Sequence, residues 1–358
     1  MTKLYLVRHA ESEGNLYGRA HGLYDCHLTK LGREQAKLLA RRLKDVPFDV
    51  FYSSPLHRAK QTALAVMEGR EGAVLNIEPD LHELGVGVWE DKTWTKIAQT
   101  DLEMLIKYYT DMADWDVDGG EKFDAVRQRM RSAVDKIVAE NRGKTILCTS
   151  HGFAIFAYDT DVRGIPSKDA LRRRFCGNTA IYAYNIHDDG RIEPTIENDC
   201  AHLKAAGENM NRSGDISTIF SMSFDPLDFD ADGDLCGKWC PDIDMARLKI
   251  LAHANPRAVV TAYCRGEAAG IVILDTEREN SSGAGHIEYI YLDEKFRNRK
   301  FSRALIGHAV SVYRGEGRDK IRVIIPAENT EIIGYFNHYG FETMSDGESV
   351  TLDYDLLI

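Results

Sequence analysis

The run Leu4-Tyr5-Leu6-Val7 has no polar face, and a strand without a polar face has to be covered on both sides. That places it at the centre of a parallel sheet with helices above and below. Comparable apolar runs at 50–52 and 145–148 alternate with segments of helical periodicity at 31–43 and 123–138, the pattern of an α/β domain built on a parallel sheet. A last strand, 179–186, runs into the turn Asp188-Asp189-Gly190, and the pattern ends near His202-Leu203. The small, polar stretch 205–215 carries two glycines and no apolar cluster, so it reads as a linker. A chain of 358 residues is long for one core, and a second set of strands is legible at 258–264, 268–275, 286–292 and 320–326, with helices at 302–314 and 330–338. The expected organisation is a first domain over 1–205, a linker over 206–215 and a second α/β domain over 216–358.

A net charge of -11 argues against a general nucleic-acid binder, because phosphate backbones attract basic surfaces. No apolar run approaches bilayer length and the first ten residues lack a secretory signal, so a cytoplasmic protein with no membrane partner is expected. The seven cysteines are odd in number and scattered, which suits reduced thiols. Small-molecule chemistry is the reading that remains.

The first strand delivers Arg8-His9 to its carboxyl end, the edge where open α/β sheets bind ligands. A neutral imidazole with one nitrogen held as a donor presents a nucleophilic lone pair on the other. The block from Ser53 to Thr62 follows the second strand and opens a helix near Arg58. A guanidinium there, with Arg8, can hold phosphoryl oxygens in bidentate fashion. The strand ending at Ser150-His151-Gly152 brings a second histidine to the same edge. Glu83, within Leu81-His82-Glu83-Leu84-Gly85, is the candidate proton donor to a leaving oxygen. Taken singly, His151 could be a hydrogen-bonded core histidine and Arg58 a surface ion pair. Their order at successive strand ends argues for one site.

These segments closely resemble the histidine phosphatase superfamily, in its phosphoglycerate-mutase-like branch. Beyond Arg8-His9 the resemblance extends to Asn15, Leu28-Thr29, Gly32, Gln35-Ala36, the block around Arg58, Glu83 with Gly87 and Trp89-Glu90, Gly119-Gly120-Glu121 and Ser150-His151-Gly152. It implies a three-layer α/β fold and a phosphoric monoester hydrolase. In that family His9 would be the phosphorylated nucleophile, Arg8, Arg58 and His151 the phosphate ligands, Asn15 a pocket residue and Glu83 the proton donor, with no cofactor or metal. A mutase shares the phosphohistidine but returns the phosphoryl group to its substrate. The short, acidic segment 90–114, with Lys92, Lys96 and Lys107, favours hydrolysis of a small phosphorylated metabolite.

In the second half, the strand at 286–292 is followed by the basic loop Lys295-Phe296-Arg297-Asn298-Arg299-Lys300 and a helix from about Phe301, an arrangement whose amides and helix dipole suit a pyrophosphate. Order and spacing resemble the Gcn5-related N-acetyltransferase (GNAT) fold. By that resemblance acetyl-CoA is the cosubstrate, held by Leu292, Arg297, Arg299, Lys300, Phe301, Ser302, Arg303 and Asn329, with an amine as acceptor. Lys300 and Ser302 stand where the family has small residues, and side chains there crowd the phosphates. Phe336 aligns with the family's proton-donating tyrosine. Tyr339 is on a neighbouring part of the same helical face and Tyr335 about 100° away, so Tyr339 is the expected donor and Glu288 the expected base. A domain that only binds acyl-CoA, or that mediates dimerisation, is the rival, and a homodimer is left open.

Two further signals carry less. Asp228-Phe229-Asp230-Ala231-Asp232-Gly233-Asp234 begins like a calcium loop, but its twelfth position is Trp239 rather than glutamate, so a solvated acidic loop is expected and no metal. Cys236 and Cys240 lack a second pair at zinc spacing, and Trp89, Trp94 and Trp115 are expected in the core.

Overall fold

The computed structural model describes residues 1–172, 176–207, 210, 222–278, 283–299 and 301–357. The chain forms two compact units, one of Met1–Lys92 with Ile97–Ile216, the other of Thr93–Lys96 with Ser217–Ile358. Of the expected linker, Ala206, Gly207 and Met210 are among the described residues. No described helix is long and apolar enough to cross a membrane.

The strands of the first unit are β1 (Thr2–Arg8), β2 (Val50–Ser53), β3 (Leu75–Ile77), β4 (Thr145–Ser150), β5 (Ile181–Ile186) and β6 (Ile192–Asp199), in the spatial order β3-β2-β4-β1-β5-β6. The first four are parallel, but β5 lies antiparallel to β1 and β6 antiparallel to β5. The expectation of a wholly parallel sheet ending at residue 186 is therefore corrected. A strand that follows β5 through the tight turn at Gly190 can only return antiparallel, and the half-exposed, alternating β6 gave a weak apolar signal. Val7, Phe51, Leu147 and Ile181 pack with Leu39 and Leu43 of the helix Lys30–Arg42 and Val66 of the helix His57–Met67. Leu4 and Leu6, one residue out of phase with Val7, are fully buried on the opposite face. The paired helices Phe123–Glu140 and Gly152–Val162 complete a three-layer sandwich.

Register is what positions the site. Arg8 lies beside Ser150 and Ser53 beside Thr149, so β1, β2 and β4 end level. The His9 N–H donates to Ser150 O at 3.0 Å, and the Ser54 N–H to Thr149 O at 2.9 Å, extending the ladder just past the strand ends.

The second unit holds β7 (Ser223–Pro226), β8 (Val259–Cys264), β9 (Glu267–Asp275), β10 (Ala284–Leu292), β11 (Lys320–Pro326), β12 (Glu342–Ser345) and β13 (Ser349–Asp355), ordered β12-β13-β11-β10-β9-β8-β7. β10 and β11 are parallel and pair only from Ala284–Lys320 to His286–Arg322. Beyond that they are no longer paired with each other, and β10 carries an irregularity against β9 between Ile287 and Tyr289 that leaves Glu288 as the extra residue. Gly285 is obligatory here, because a Cβ would sit 2.2 Å from the Tyr313 ring of the helix Ser302–Gly315. The expected helix at Phe301 starts one residue later, with Phe301 as its N-cap.

Candidate active site

His9 is 1% exposed at the end of β1. Its Nδ1 lies 2.7 Å from Ala10 O. A carbonyl only accepts, so Nδ1 carries the proton and Nε2 keeps its lone pair. Burial, then Arg58, Arg8 and His21, hold the His9 pKa well below the ordinary imidazole value. The nucleophilic form is thus present without a separate base. His151, fully buried, has its ring centroid 5.2 Å from that of His9, and its Nε2 is 2.7 Å from Ser54 Oγ. Burial and the positive charge of Arg58 also push its pKa down.

Arg58 is 0% exposed, which excludes a surface ion pair. Its Nη1 donates to Tyr24 O at 3.0 Å, and its Nη2 to His21 O at 3.1 Å and Gly22 O at 2.8 Å. The nitrogens that remain are Arg58 Nε and His151 Nδ1, both buried and both without a hydrogen-bond partner. Unmet buried polar groups cost about 1–3 kcal/mol each, and such groups mark a ligand site. Arg8, 9% exposed, donates through Nη1 to Cys176 O.

Glu83 sits before the helix Gly152–Val162. Its Oε1 accepts from Leu84 N at 2.9 Å and Ala154 N at 3.0 Å, and its Oε2 from Phe153 N at 3.2 Å. The amides of Phe153 and Ala154 belong to the helix that His151 caps, so acid and phosphate ligand share one support. The segment before Glu83 is clamped by Arg129, which donates to Asp80 O and to His82 O and is held in turn by both oxygens of Glu121. Glu90 accepts from the amides of Leu23, Tyr24 and Val86, fixing the loop whose carbonyls hold Arg58. Asn15 is half-buried, and its Oδ1 accepts from Ser12 N and Oγ and from Asn178 Nδ2.

Two residues escaped the sequence reading. His21 donates from Nδ1 to Arg19 O at 2.8 Å and lies 6.3 Å from His9, centroid to centroid; burial and Arg58 push its pKa down to about 3. Asn178 donates to His9 O at 3.3 Å from a turn in which Thr179 takes the left-handed φ of 52°. The dipeptide Gly177-Asn178 was the available turn signal for the second; nothing periodic announced the first. Trp89 and Trp115 are buried, their rings 5.7 Å apart, as expected, and Trp94 is intermediate.

In the second unit, Glu288 is bound by Arg247, and the Arg297 Nε donates to Leu292 O at 2.9 Å while its guanidinium lies 5.4 Å from the Tyr291 ring centre. Asn298 takes a φ of 60°, turning the basic loop back on itself. Lys300 lies outside the described residues. Arg299 and Asn329 are exposed, Phe301 and Ser302 half-buried, and Arg303 and Leu292 buried. Phe336 packs on Phe341. The expected preference among the tyrosines needs adjustment: Tyr339 is the C-cap, one residue past the helix Thr330–His338, whereas the Tyr335 hydroxyl donates to Ser302 O at 2.8 Å. A helix's last turn does not continue the 100° step on which the preference for Tyr339 rested. Asp232 accepts from Thr261 and Tyr263 hydroxyls, so the central carboxylate of the calcium-like loop is committed to the core. Among the described residues no group of three or more His, Cys, Asp or Glu is placed to hold a metal.

Residues 4–198 match the model of the histidine phosphatase superfamily (branch 1), and residues 223–341 that of the acetyltransferase (GNAT) family. Phosphoserine phosphatase 1 of Hydrogenobacter thermophilus is 34% identical over 151 residues, 42% of this chain and 71% of its own length. The probable phosphoglycerate mutase GpmB of Serratia proteamaculans is 32% identical over 63% of this chain and 99% of its own length. The solved structure of Bacillus stearothermophilus YhfR, 30% identical, superposes with a TM-score of 0.54 over 56% of this chain and 99% of that one. The chain belongs to the histidine phosphatase superfamily, branch 1, and carries a GNAT acetyltransferase domain in its second half.

Proposed function

We propose that the first unit hydrolyses a small phosphate monoester without a metal, through a covalent phosphohistidine on His9. The observation that carries this reading is the pair of buried, unpartnered nitrogens, Arg58 Nε and His151 Nδ1, beside an imidazole whose Nε2 lone pair is bare. A phosphoryl oxygen satisfies both nitrogens, and Arg8 adds charge stabilisation as the negative charge spreads over the equatorial oxygens. His9 Nε2 attacks phosphorus; the N–P bond forms as the ester P–O bond breaks, and Glu83 gives its proton to the leaving alcohol. Water then attacks the phosphohistidine, Glu83 takes up the water's proton, and inorganic phosphate leaves with its bond to His9 broken. Asn15 and Asn178 hold the wall of the pocket.

The test is phosphate release in EDTA from a panel of phosphorylated sugars, nucleotides, amino acids and amino alcohols. Phosphoserine and phosphoglycerate belong in the panel because relatives are named for them. His9→Ala is expected to lose about 10⁴-fold or more in kcat, and the wild type to trap an acid-labile phosphoryl adduct. Equal release from the variant overturns the mechanism; isomerised phosphoglycerate without free phosphate identifies a mutase.

For the second unit we infer acetyl transfer to an amine, with residues 206–215 as the linker between two activities of one chain. The parting of β10 from β11 beyond His286 leaves the β11-facing edge of 287–292 without a partner strand, which suits the extended arm of acetyl-CoA. Leu292, Arg297, Arg299, Lys300, Phe301, Ser302, Arg303 and Asn329 would hold it, and it would supply the activated acetyl group. Glu288 would take a proton from the amine and Tyr339 would give one to the departing thiol. Phe336, which carries no proton, and Arg297, spent on Leu292 O, favour the rival module that binds acyl-CoA without transfer. Calorimetric binding of acetyl-CoA with no acceptor ever modified would establish that module.

A further inference from the structure

We propose that Arg247 occupies the place of the acceptor nitrogen in the second unit, and that the acceptor's ammonium has to displace it. This rests on reading the second unit as an acetyltransferase.

Arg247 lies in the first turn of the helix Met245–Ala254, whose N-cap Asp244 accepts from Ala246 N. One nitrogen of its guanidinium, Nη2, makes both decisive contacts: 2.8 Å to Asp275 Oδ2 and 2.9 Å to Glu288 Oε2. Its Nε reaches the same Glu288 oxygen at 3.3 Å. The two carboxylates stand on neighbouring strands. Asp275 ends β9 opposite His286, and Glu288 follows on β10 at the irregularity that turns it out of the regular alternation. They are therefore fixed by the sheet at the point where β10 leaves β11, while the Arg247 side chain is 48% exposed and comes from a helix that also exposes Met245 and Ile250.

Asp275 is only 8% exposed, and a buried carboxylate left without a charged or hydrogen-bonding partner is costly. If Arg247 swings out, another partner has to enter. An ammonium nitrogen at the Nη2 position makes the same two hydrogen bonds and retains a third N–H. Arg247 itself is not a substrate, because a guanidinium does not give up its proton in a protein. A neutral hydroxyl brings no charge and cannot replace it, so the exchange selects amines over alcohols. The reaction then balances: the ammonium loses one proton to Glu288, the free amine attacks the thioester carbonyl, the C–N bond forms and the C–S bond breaks. One of the nitrogen's protons leaves with the thiol and one reaches solvent through Glu288.

The experiment uses the full chain with acetyl-CoA and three probes, ethanolamine, 1,4-diaminobutane and 1-butanol, reading free thiol and acetylated product. The wild type acetylates the amines and not the alcohol. Arg247→Met removes the competitor and lowers KM for the amines by about tenfold with kcat retained. Arg247→Lys, which keeps a cation against both carboxylates and so guards against loss of the fold, puts a primary amine in the acceptor's place, and the chain acetylates itself at position 247. A fall in kcat at unchanged KM in R247M, or equal use of amine and alcohol, overturns the proposal and leaves Arg247 as a positioning residue for Glu288. Calorimetry with acetyl-CoA separates the two levels: no binding, or binding with no probe modified, overturns the acetyltransferase reading, whereas amine turnover whose KM is the same in wild type and R247M, with no self-acetylation of R247K, overturns the Arg247 proposal alone.

Discussion

The two candidate sites differ in where their polar groups find partners. In the first unit the nucleophile, phosphate ligands and acid are positioned by backbone: His9 by Ala10 O, Arg58 by three carbonyls and Glu83 by three amides. Two buried nitrogens, Arg58 Nε and His151 Nδ1, are left over. In the second unit the corresponding groups are already engaged: Arg247 bridges the side chains of Asp275 and Glu288, while Arg297 Nε and the Tyr335 hydroxyl donate to the backbone oxygens of Leu292 and Ser302. The first site is preorganised and keeps the cost of unmet hydrogen bonds in its resting state, whereas the second has to break internal bonds before it can bind. Residue identity should therefore matter most in the first, and displacement in the second.

The sharpest way to break that contrast is at Glu83. Glu83→Gln keeps an oxygen to accept from the amides of the helix Gly152–Val162 but cannot donate a carboxyl proton. Loss of about 10²- to 10⁴-fold in kcat is expected with alkyl phosphates. With p-nitrophenyl phosphate, whose leaving group needs no proton, the loss should shrink to tenfold or less. Steady-state rates on both esters decide it; an equal loss on both would make Glu83 a scaffold residue and the first site less specialised than its geometry implies.

Acidification should separate the units. His9, His21 and His151 in the first unit all have pKa values below the ordinary imidazole value because of burial and then the neighbouring arginine charge. Below pH 6.5 the unfolded chain binds protons that the folded chain refuses, so stability falls as pH drops, and stays high above it. With its pKa at about 3, His21 accounts for roughly 1 kcal/mol of that loss at about pH 5.5. Thermal melts at pH 7.5 and 5.5 should show the first unit losing more than the second, and His21→Gln should narrow the gap. In the second unit His286 is shifted the same way. A second unit that melts first in acid would remove this distinction.

The same contrast explains what could be read from the sequence. Arg8-His9, Arg58 and Ser150-His151 were legible because each follows a strand or opens a helix, where periodicity breaks and a charged residue has few structural reasons to be buried. β5 was expected at 179–186 and is found there, but its antiparallel pairing and the return strand β6 were not read, because antiparallel return is a property of pairing, which no local pattern carries. His21 was missed because its place in the pocket depends on the loop held by Glu90, a contact across 67 residues. The bridging nitrogen of Arg247 was equally hidden, since it joins a helix to two strands. What the sequence of the second unit did reveal, the basic loop and the strand before it, are features of local order; the commitments of Arg297 and Tyr335 are tertiary.

The smallest expected effect tests how far the second site is held by its own bonds. Tyr335→Phe removes the hydroxyl that donates to Ser302 O, the first residue of the helix that follows the basic loop. A hydrogen bond of this kind is worth about 1 kcal/mol, so the melting temperature of the second unit should fall by a few degrees. Acetyl-CoA should bind about threefold more weakly by calorimetry, because the loop is less ordered, while kcat for an amine is kept. Tyr339→Phe should do the reverse if Tyr339 donates the proton: binding kept, kcat down by about 10²-fold. Should Tyr335→Phe instead abolish turnover at unchanged affinity, the proton donor is the tyrosine already fixed against the backbone. The second site would then be preorganised in the manner of the first, and the difference between them would reduce to Arg247.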